Sequence, residues 1–397
     1  MENTPYLYDT LLGVLGQHSK WLDRRHRQSL AWMMLGLICS KTVSLGAWLP
    51  FVVSRAHYAQ STVRRFSRWL NNNRIKPQPL YGPLIEQGLR GWIGKRIYIA
   101  LDTSMLWNIY CMIRLSVIYR GRAVPLVWKV IEHGSAAVSF EKYQDLLEES
   151  KGRMPFACKV VFLADRGFAD TQLMSHLREV GWHFRIRIKA KFWVYPSPLC
   201  PFQVGDVELN PGHMTCWQEV QITAHRFGPV HLAVAQPLRS DEYWYVISDE
   251  TADLKPFEEY GLRFDIEENF LDDKSNDFQL EGSLIRSAEA LEHLCFVLAI
   301  TTLYLVSLGT SVVKQGKRRL VDPHWFRGAS YLKIGWHWVT YVLTRGYELY
   351  TTVYLCSDVD PEPAMASKKQ DATRRQSRFV FDYVLMQKQI YIFLTGD

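Results

Sequence analysis

The sequence predicts an α/β fold with a helical region before it and another after it. Three successive runs rich in Ile, Val and Leu, at 96–104, 112–120 and 123–133, are typical of β-strands. Helical and strand-like runs then alternate, whereas the first 94 residues place apolar side chains at helical spacing. We therefore expect a helical domain over residues 1–94, an α/β domain over 95–310 and a helical C-terminal region over 311–397.

The order of the elements narrows the fold class. Three strands in a meander, followed by helix, strand, helix and strand, is the order of a ribonuclease-H-like fold. Residues 190–256 add a β-rich insertion, because EVQITAHRF, PVHLAVAQPL and YWYVISDE are further strand candidates. Strand order is a fold-level analogy and assigns no activity by itself.

Composition limits the class of protein. The chain has 397 residues, 13% of them aromatic, well above the aromatic content of a disordered chain. The longest apolar run, Cys295 to Val306, is too short to span a bilayer, so we expect a buried core helix and no membrane partner. Seven scattered cysteines without a CxxC pair indicate reduced thiols of a cytoplasmic protein. A polar, charged segment near 357–378 is expected to be disordered.

Positive charge is concentrated near the N-terminus. Residues 1–94 hold twelve Lys and Arg against four Asp and Glu. Within STVRRFSRWLNN, Arg64, Arg65 and Arg68 share one helix face, and Phe66 and its apolar neighbours take the other. With a helical segment predicted around TVSLGAWLPFVV, the pattern resembles the second helix of a helix-turn-helix, whose arginines would contact DNA. A solvated basic face is the alternative.

Two aspartates are predicted to end strands, Asp102 in IALDTS and Asp165 in FLADRGF. Either alone could be a turn or helix-capping residue. In a ribonuclease-H-like sheet the first and fourth strands are adjacent, and a helix crossing that edge could bring Glu267 to both. Three clustered carboxylates repel one another unless cations neutralise them, and two Mg²⁺ ions, or Mn²⁺ as a substitute, suit their oxygens. The predicted chemistry is in-line phosphoryl transfer on a phosphodiester.

Helical geometry favours Glu267 over its acidic neighbours. If the segment YGLRFDIEENFLDDKS winds as one helix at about 100° per residue, a sector of about 60° holds Tyr260, Arg263, Glu267 and Lys274. Glu268 points about 100° away from that face. The tyrosine and the two cations would then line the groove in which DNA phosphates run.

Together these motifs resemble the DDE transposases of the insertion-sequence-four family. Members carry Tyr, two residues, Arg, three residues, Glu, six residues and Lys, and the spacing from Tyr260 to Lys274 matches throughout. LDTS and LADRGF also look like the family's two catalytic aspartate segments, and the resemblance covers roughly residues 95–310.

The resemblance implies roles for the motif residues. Asp102, Asp165 and Glu267 would be the catalytic metal ligands, and the other three signature residues would hold double-stranded DNA at a transposon end. Such an enzyme cleaves the ends of its element and joins them to target DNA, as a homodimer in a synaptic complex. The helical domain 1–94 would then be the DNA-binding domain, and the C-terminal region 311–397 would supply contacts for dimerisation or to DNA.

Some family members place a flipped base against an aromatic side chain of the insertion. Trp244, Trp217 and Trp193 are the candidates here, and Trp244 is nearest the signature. For each of them, a buried tryptophan of the β-rich insertion is the alternative interpretation.

Two other functions stay open from the sequence. One is a transposase-derived protein that binds DNA without cutting it. The intact set of three acids argues against this function. The other is a ribonuclease-H-like nuclease that hydrolyses DNA without joining it. A strand-transfer assay with precut ends separates the nuclease from a transposase.

Overall fold

The computed structural model describes residues 4–19, 21–237, 242–252, 255–276 and 278–363. The helices in these ranges are α1 (Thr4–Gln17), α2 (Arg24–Ser40), α3 (Ala59–Leu70), α4 (Pro77–Leu89), α5 (Gln144–Gly152), α6 (Thr171–Glu179), α7 (Lys255–Gly261), α8 (Phe264–Leu271), α9 (Ala288–Lys314) and α10 (Tyr331–Arg345). The strands are β1 (Arg96–Leu106), β2 (Tyr110–Tyr119), β3 (Arg122–Glu132), β4 (Lys159–Ala164), β5 (His183–Arg187), β6 (Trp193–Tyr195), β7 (Phe202–Gln203), β8 (Met214–Ile222), β9 (Phe227–Ala235) and β10 (Trp244–Ser248).

The chain folds as two compact units. Of the residues in these ranges, those within 4–159 and 264–363 form the first unit and those within 160–263 form the second. These units divide the chain differently from the predicted domains 1–94, 95–310 and 311–397. The reason is that α2, α3 and α4 from the N-terminal region and α10 from the C-terminal region all pack on α9.

Helix α9 is the core of the first unit. Its side chains from Leu294 to Val306 are buried, and it also packs against β3. Ser287 begins the helix by accepting a hydrogen bond from the backbone N–H of Ala290. By length and composition α9 could cross a membrane, but its apolar stretch is entirely buried within the protein. The predicted buried core helix is confirmed.

The first three strands form the predicted meander. Strand β2 pairs antiparallel with β1 on one side and with β3 on the other. Arg120 and Gly121 link β2 to β3 with φ angles of 51° and 81°, as a tight two-residue hairpin turn requires. All ten residues of β2 are buried, which is typical of a central strand.

The second unit contains the predicted insertion as a β-rich module. Strands β4 and β5 are parallel and are connected by α6, which Asp170 caps. Strand β10 pairs antiparallel with β5, and β9, β8, β6 and β7 continue the sheet in that order. Strands β6 and β7 are only three and two residues long, which explains why the sequence pattern did not predict them.

One local prediction was wrong in the N-terminal region. The segment around TVSLGAWLPFVV forms turns and one 3₁₀ turn, Leu49–Phe51, instead of the first helix of a helix-turn-helix. Its Trp48 is fully buried and donates a hydrogen bond to the carbonyl of Thr42, which holds the segment as a compact loop.

The prediction of disorder near 357–378 was wrong for residues 357–363. These residues make defined contacts, such as the ion pairs of Asp360 and Glu362 with buried arginines. Residues 364–378 lie outside the described range.

Helices α9 and α10 approach closely through two glycines. A methyl group at Gly309 would overlap the backbone carbonyl oxygen of Tyr331, and one at Gly335 would overlap that of Leu305. Because these obstacles are backbone atoms, no change of rotamer could relieve either overlap.

We expect Gly309→Ala to lower the free energy of unfolding by about 2–3 kcal/mol, through overpacking at this crossing. Chemical denaturation measures the change. Gly13→Ala is the matched control, since Gly13 lies in α1 with open space around it. The control should be neutral or stabilising by up to about 1 kcal/mol, as alanine favours helix over glycine. Equal stability of the two variants would contradict the close crossing.

Candidate active site

Asp102 lies in the middle of a strand in the first unit. Strand β1 continues to Leu106, so the prediction that Asp102 ends a strand was wrong. Its side chain is half-buried, and one carboxylate oxygen accepts a hydrogen bond from the backbone N–H of Thr103 at 2.8 Å. Directly opposite on β2 is Arg114, and opposed residues of an antiparallel pair share one face of the sheet.

Arg114 fastens the segment that carries Glu267 to that same face. Its guanidinium, 1% exposed, donates a hydrogen bond to the side-chain oxygen of Asn269 at 2.7 Å and lies 2.6 Å from a carboxylate oxygen of Asp273. It also lies 4.9 Å from the ring centroid of Phe270. Helix α8 therefore packs on the face of β1 and β2 to which Asp102 and Arg114 belong.

A second arginine holds the outer side of the same segment. Arg122 on β3 lies 3.2 Å from a carboxylate oxygen of Asp272 and 3.5 Å from one of Glu268. Asp272 is buried, whereas the side chain of Glu268 is 55% exposed. The acids near Glu267 therefore differ in burial. Glu267 itself is half-buried.

The signature segment is not one continuous helix, contrary to the prediction. Helix α7 ends at Gly261, α8 begins at Phe264, and a π-helical turn follows from Asp272 to Asn276. A uniform 100° winding therefore does not extend from Tyr260 to Lys274. Lys274, in the π-helical turn, lies 3.8 Å from a carboxylate oxygen of Glu281.

Asp165 is held by the tyrosine of the signature within the second unit. It follows β4 directly, and its carbonyl accepts the hydrogen bond that closes a 3₁₀ turn with Phe168. The hydroxyl of Tyr260 donates to a carboxylate oxygen of Asp165 at 3.3 Å. Nε of Arg263 donates in turn to that hydroxyl at 3.2 Å, so the three side chains form a relay.

Burial fixes the chemical state of this relay. Tyr260 is fully buried and Arg263 is 5% exposed. Burial raises the pKa of Tyr260 to about 12, against the opposing effect of the Arg263 charge. The phenol therefore stays protonated at neutral pH and can donate to Asp165. In this arrangement the tyrosine and the arginine are turned toward the aspartate, and neither presents an open surface to DNA.

Trp244 supports the relay from the β-rich module. Its ring meets Tyr260 edge-on with centroids 5.2 Å apart, and the guanidinium of Arg187 lies 5.4 Å from the Trp244 ring centroid. Trp244 is 6% exposed, which agrees with the alternative of a buried module residue. Of the other two candidates, Trp217 is buried beside Phe202 and Trp193 is 42% exposed.

Helix α7 is fixed to its sheet by a buried arginine that the sequence pattern did not single out. Arg185 on β5 is 1% exposed and donates to a carboxylate oxygen of Glu259 at 2.7 Å. It also pairs with Glu250 and lies 3.5 Å from Asp249. This cluster places Tyr260, the next residue after Glu259, against the end of β4.

The arginines of α3 separate into two groups. Arg64 and Arg68 are exposed, as a DNA-contacting face requires, and Phe66 and Trp69 are buried as predicted. Arg65 is half-buried, with its guanidinium 4.9 Å from the ring centroid of Phe66.

The carboxylates of the three acidic motifs offer the hard oxygen donors that suit Mg²⁺ or Mn²⁺. Within the described residues, however, no group of three or more His, Cys, Asp and Glu side chains lies close enough to hold a metal ion. The donor chemistry of these acids favours a divalent cation.

Comparison with known proteins bears on the same residues. Residues 108–304 match the family model described as the transposase DDE domain. The match supports a DDE transposase. It covers just under half of the chain, and it contains Asp165 and Glu267 but begins after Asp102.

One solved structure is similar to the chain over most of its length. A cryo-EM structure of the piggyBac transposase synaptic complex with hairpin DNA is similar over 87% of this chain and 82% of that chain, with 10% sequence identity and a TM-score of 0.47. A TM-score this low says nothing about a shared function. Among curated proteins, none matches the chain.

We expect Arg114→Met to lower the free energy of unfolding by about 3 kcal/mol, because it leaves the buried carboxylate of Asp273 without its cation. Chemical denaturation measures this change. Arg25→Met is the control, since the Arg25–Asp23 pair lies at the surface, with the arginine side chain 87% exposed. The control should show no measurable change. If Arg114→Met were equally harmless, the anchoring of α8 would be refuted.

Proposed function

We propose that the chain is a DNA transposase that binds the terminal inverted repeats of its own insertion sequence. It would cleave the element's ends and join them to target DNA by metal-dependent phosphoryl transfer, in a cut-and-paste reaction. One observation carries the proposal. The segment that matches the transposase DDE domain contains Asp165 and Glu267 in the motifs by which the sequence resembles the insertion-sequence-four family.

Asp102, Asp165 and Glu267 are the proposed catalytic acids. Each is half-buried, so each is accessible without being fully solvated. The nearby Asp272 and Asp273 are instead buried against arginines. Two Mg²⁺ ions, with Mn²⁺ as a substitute, would be held by the three acids and would supply the charge that stabilises the transferring phosphoryl group.

The protein's own groups would prepare these acids for that task. Tyr260 donates to Asp165 and fixes the orientation of its carboxylate, and Arg263 holds the phenol in place. Arg114 holds α8, and therefore Glu267, against the strand that carries Asp102. These contacts restrict side-chain motion before DNA arrives, which lowers the entropy cost of assembling the site.

Residues other than the three catalytic acids would bind DNA. The exposed Arg64 and Arg68 of α3 are the proposed contacts to the phosphates of the transposon end, and Lys274 is a further candidate. We propose a homodimer in a synaptic complex and a cytoplasmic location in a bacterial or archaeal cell, with the protein on the nucleoid when it is bound to DNA. Short inverted repeats bordered by direct duplications in the DNA around the gene would identify the substrate.

Substitution of the acids tests the proposed chemistry. We expect Asp102→Asn, Asp165→Asn and Glu267→Gln each to lower cleavage by at least about a hundredfold. The measurement is cleavage of a duplex carrying the element's end, with Mg²⁺ or Mn²⁺ and with a chelator as the blank. Glu268→Gln should stay within about twofold of the wild type, because the Glu268 side chain is 55% exposed and its 3.5 Å pair with Arg122 lies at the surface. Undiminished cutting by all three acid variants would sink the assignment.

The relay can be tested separately from DNA binding. We expect Tyr260→Phe to slow cleavage about tenfold, as loss of a group that orients a functional ligand does, and to leave DNA affinity unchanged. Single-turnover cleavage and the Kd for the same duplex provide the two measurements. Tyr245→Phe is the control, because it removes a tyrosine hydroxyl from the same unit and keeps the ring, which stacks on that of Tyr243. A weaker Kd with an undiminished rate for bound DNA would instead make Tyr260 a DNA contact.

Two alternatives remain distinguishable by product. A transposase-derived binding protein would bind the ends without metal-dependent cleavage. A ribonuclease-H-like nuclease would cut them but yield no joined product from precut ends.

A further inference from the structure

The loop between α9 and α10 presents two adjacent aromatic side chains to solvent. Trp325 is 78% exposed and Phe326 is 64% exposed, and Leu320 in the same loop is 48% exposed. Single exposed apolar residues are common, but consecutive exposed aromatics are a signal of binding. The loop lies beyond residue 304, where the match to the transposase DDE domain ends.

Buried ion pairs hold this loop in one shape. Arg318 is 3% exposed and donates hydrogen bonds to the carbonyls of His324 and Trp325 at 2.9 and 3.0 Å. It also pairs with Asp322 at 3.1 Å and with Glu362. These bonds fix the backbone that carries the exposed rings. The aromatic side chains are therefore preorganised for a partner, which lowers the entropy cost of binding.

A second buried arginine completes the support. Arg327 is 4% exposed, donates to the carbonyl of Ala329 at 3.0 Å and pairs with Asp360 at 3.2 Å. Trp325 and Phe326 lie in the chain between these two arginines. The exposed rings therefore belong to an ordered loop that a buried, ion-paired arginine holds on each side.

The exposed charged side chains of residues 314–328 are all positive. Lys314 and Arg319 are exposed, and the guanidinium of Arg319 lies 4.4 Å from the ring centroid of Trp325. Asp322 is the only acid from residue 314 to 328, and it is buried. Burial raises the pKa of Asp322, but hydrogen bonds from His324, Gly328 and Arg318 outweigh this effect and hold its pKa below the usual value. This acid therefore stays ionised and paired inside the loop.

We propose that this loop is a DNA-contacting surface, in which Arg319 and Lys314 bind phosphates while Trp325 and Phe326 pack against sugars and base edges. Exposed aromatics interleaved with cations are the combination that nucleic acids require, since the backbone is anionic and the bases and sugars offer flat or apolar faces. The proposal rests on the proposed function only in taking DNA as the partner.

A second copy of the chain is the competing occupant. In a two-fold symmetric dimer the same patch faces itself, so two cationic patches would meet, and like charges across an interface are unfavourable. Three exposed apolar side chains also offer much less than the roughly 800 Å² per partner of a stable interface. Charge therefore favours DNA over self-association.

Two variants of the full-length protein test the surface. Affinity is measured by fluorescence anisotropy on a labelled duplex of arbitrary sequence, without divalent metal and over a series of salt concentrations. We expect Trp325→Ala/Phe326→Ala to weaken binding about tenfold, with an unchanged dependence on salt. Arg319→Ala should weaken binding and lower the slope of log K against log salt concentration by about one.

Phe156→Ala is the matched control, because Phe156 is 84% exposed in a loop elsewhere in the first unit. Its affinity should equal that of the wild type. Sedimentation of the same proteins measures their oligomeric state. If the double variant keeps its DNA affinity, whether or not it loses self-association, the proposal is overturned.

The outcome is separable from that of the proposed function. A protein that binds DNA through this loop but never cuts it would support the surface and refute the transposase. Full cutting with unchanged affinity of both variants would do the reverse.

Discussion

The first unit depends on the burial of α9. This helix is apolar on every side, so every side must be covered by another element. Strand β3 covers one side, and α2, α3, α4 and α10 cover the others. The helices at the two ends of the sequence therefore belong to one core, although more than 190 residues separate α4 from α9. Local periodicity predicts successive domains along the chain. Because α9 must be covered on every side, helices from the N-terminal and C-terminal regions instead share one core.

Arginines on the strands perform a related task around the candidate active-site residues. Arg114, Arg122 and Arg185 each come from a strand, and each meets acids from the signature segment or its neighbours. A buried ion pair adds little net stability when it is compared with an apolar pair, but losing one partner is costly. Such pairs therefore restrict which arrangement of the segment is acceptable.

The separate tasks of these side chains change the interpretation of the signature residues. A tyrosine and an arginine at these spacings suggested contacts to DNA phosphates, yet both side chains are buried and connected to Asp165. Cations that remain open to solvent lie on α3 and on the loop after α9. The side chains that hydrogen-bond to Asp165 and the exposed cations proposed to bind DNA are thus different groups, as expected when a site must be rigid and a binding surface must be accessible.

Local periodicity was enough to predict the strand meander, the β-rich module and the buried α9. These features follow from the residue types that each element requires. Long-range packing was needed to show that Asp102 lies within a strand, that the signature helix breaks after Gly261 and that Tyr260 points to Asp165. Each of these depends on partners distant in sequence, such as Arg114 and Arg185, whose long-range ion pairs no local pattern encodes.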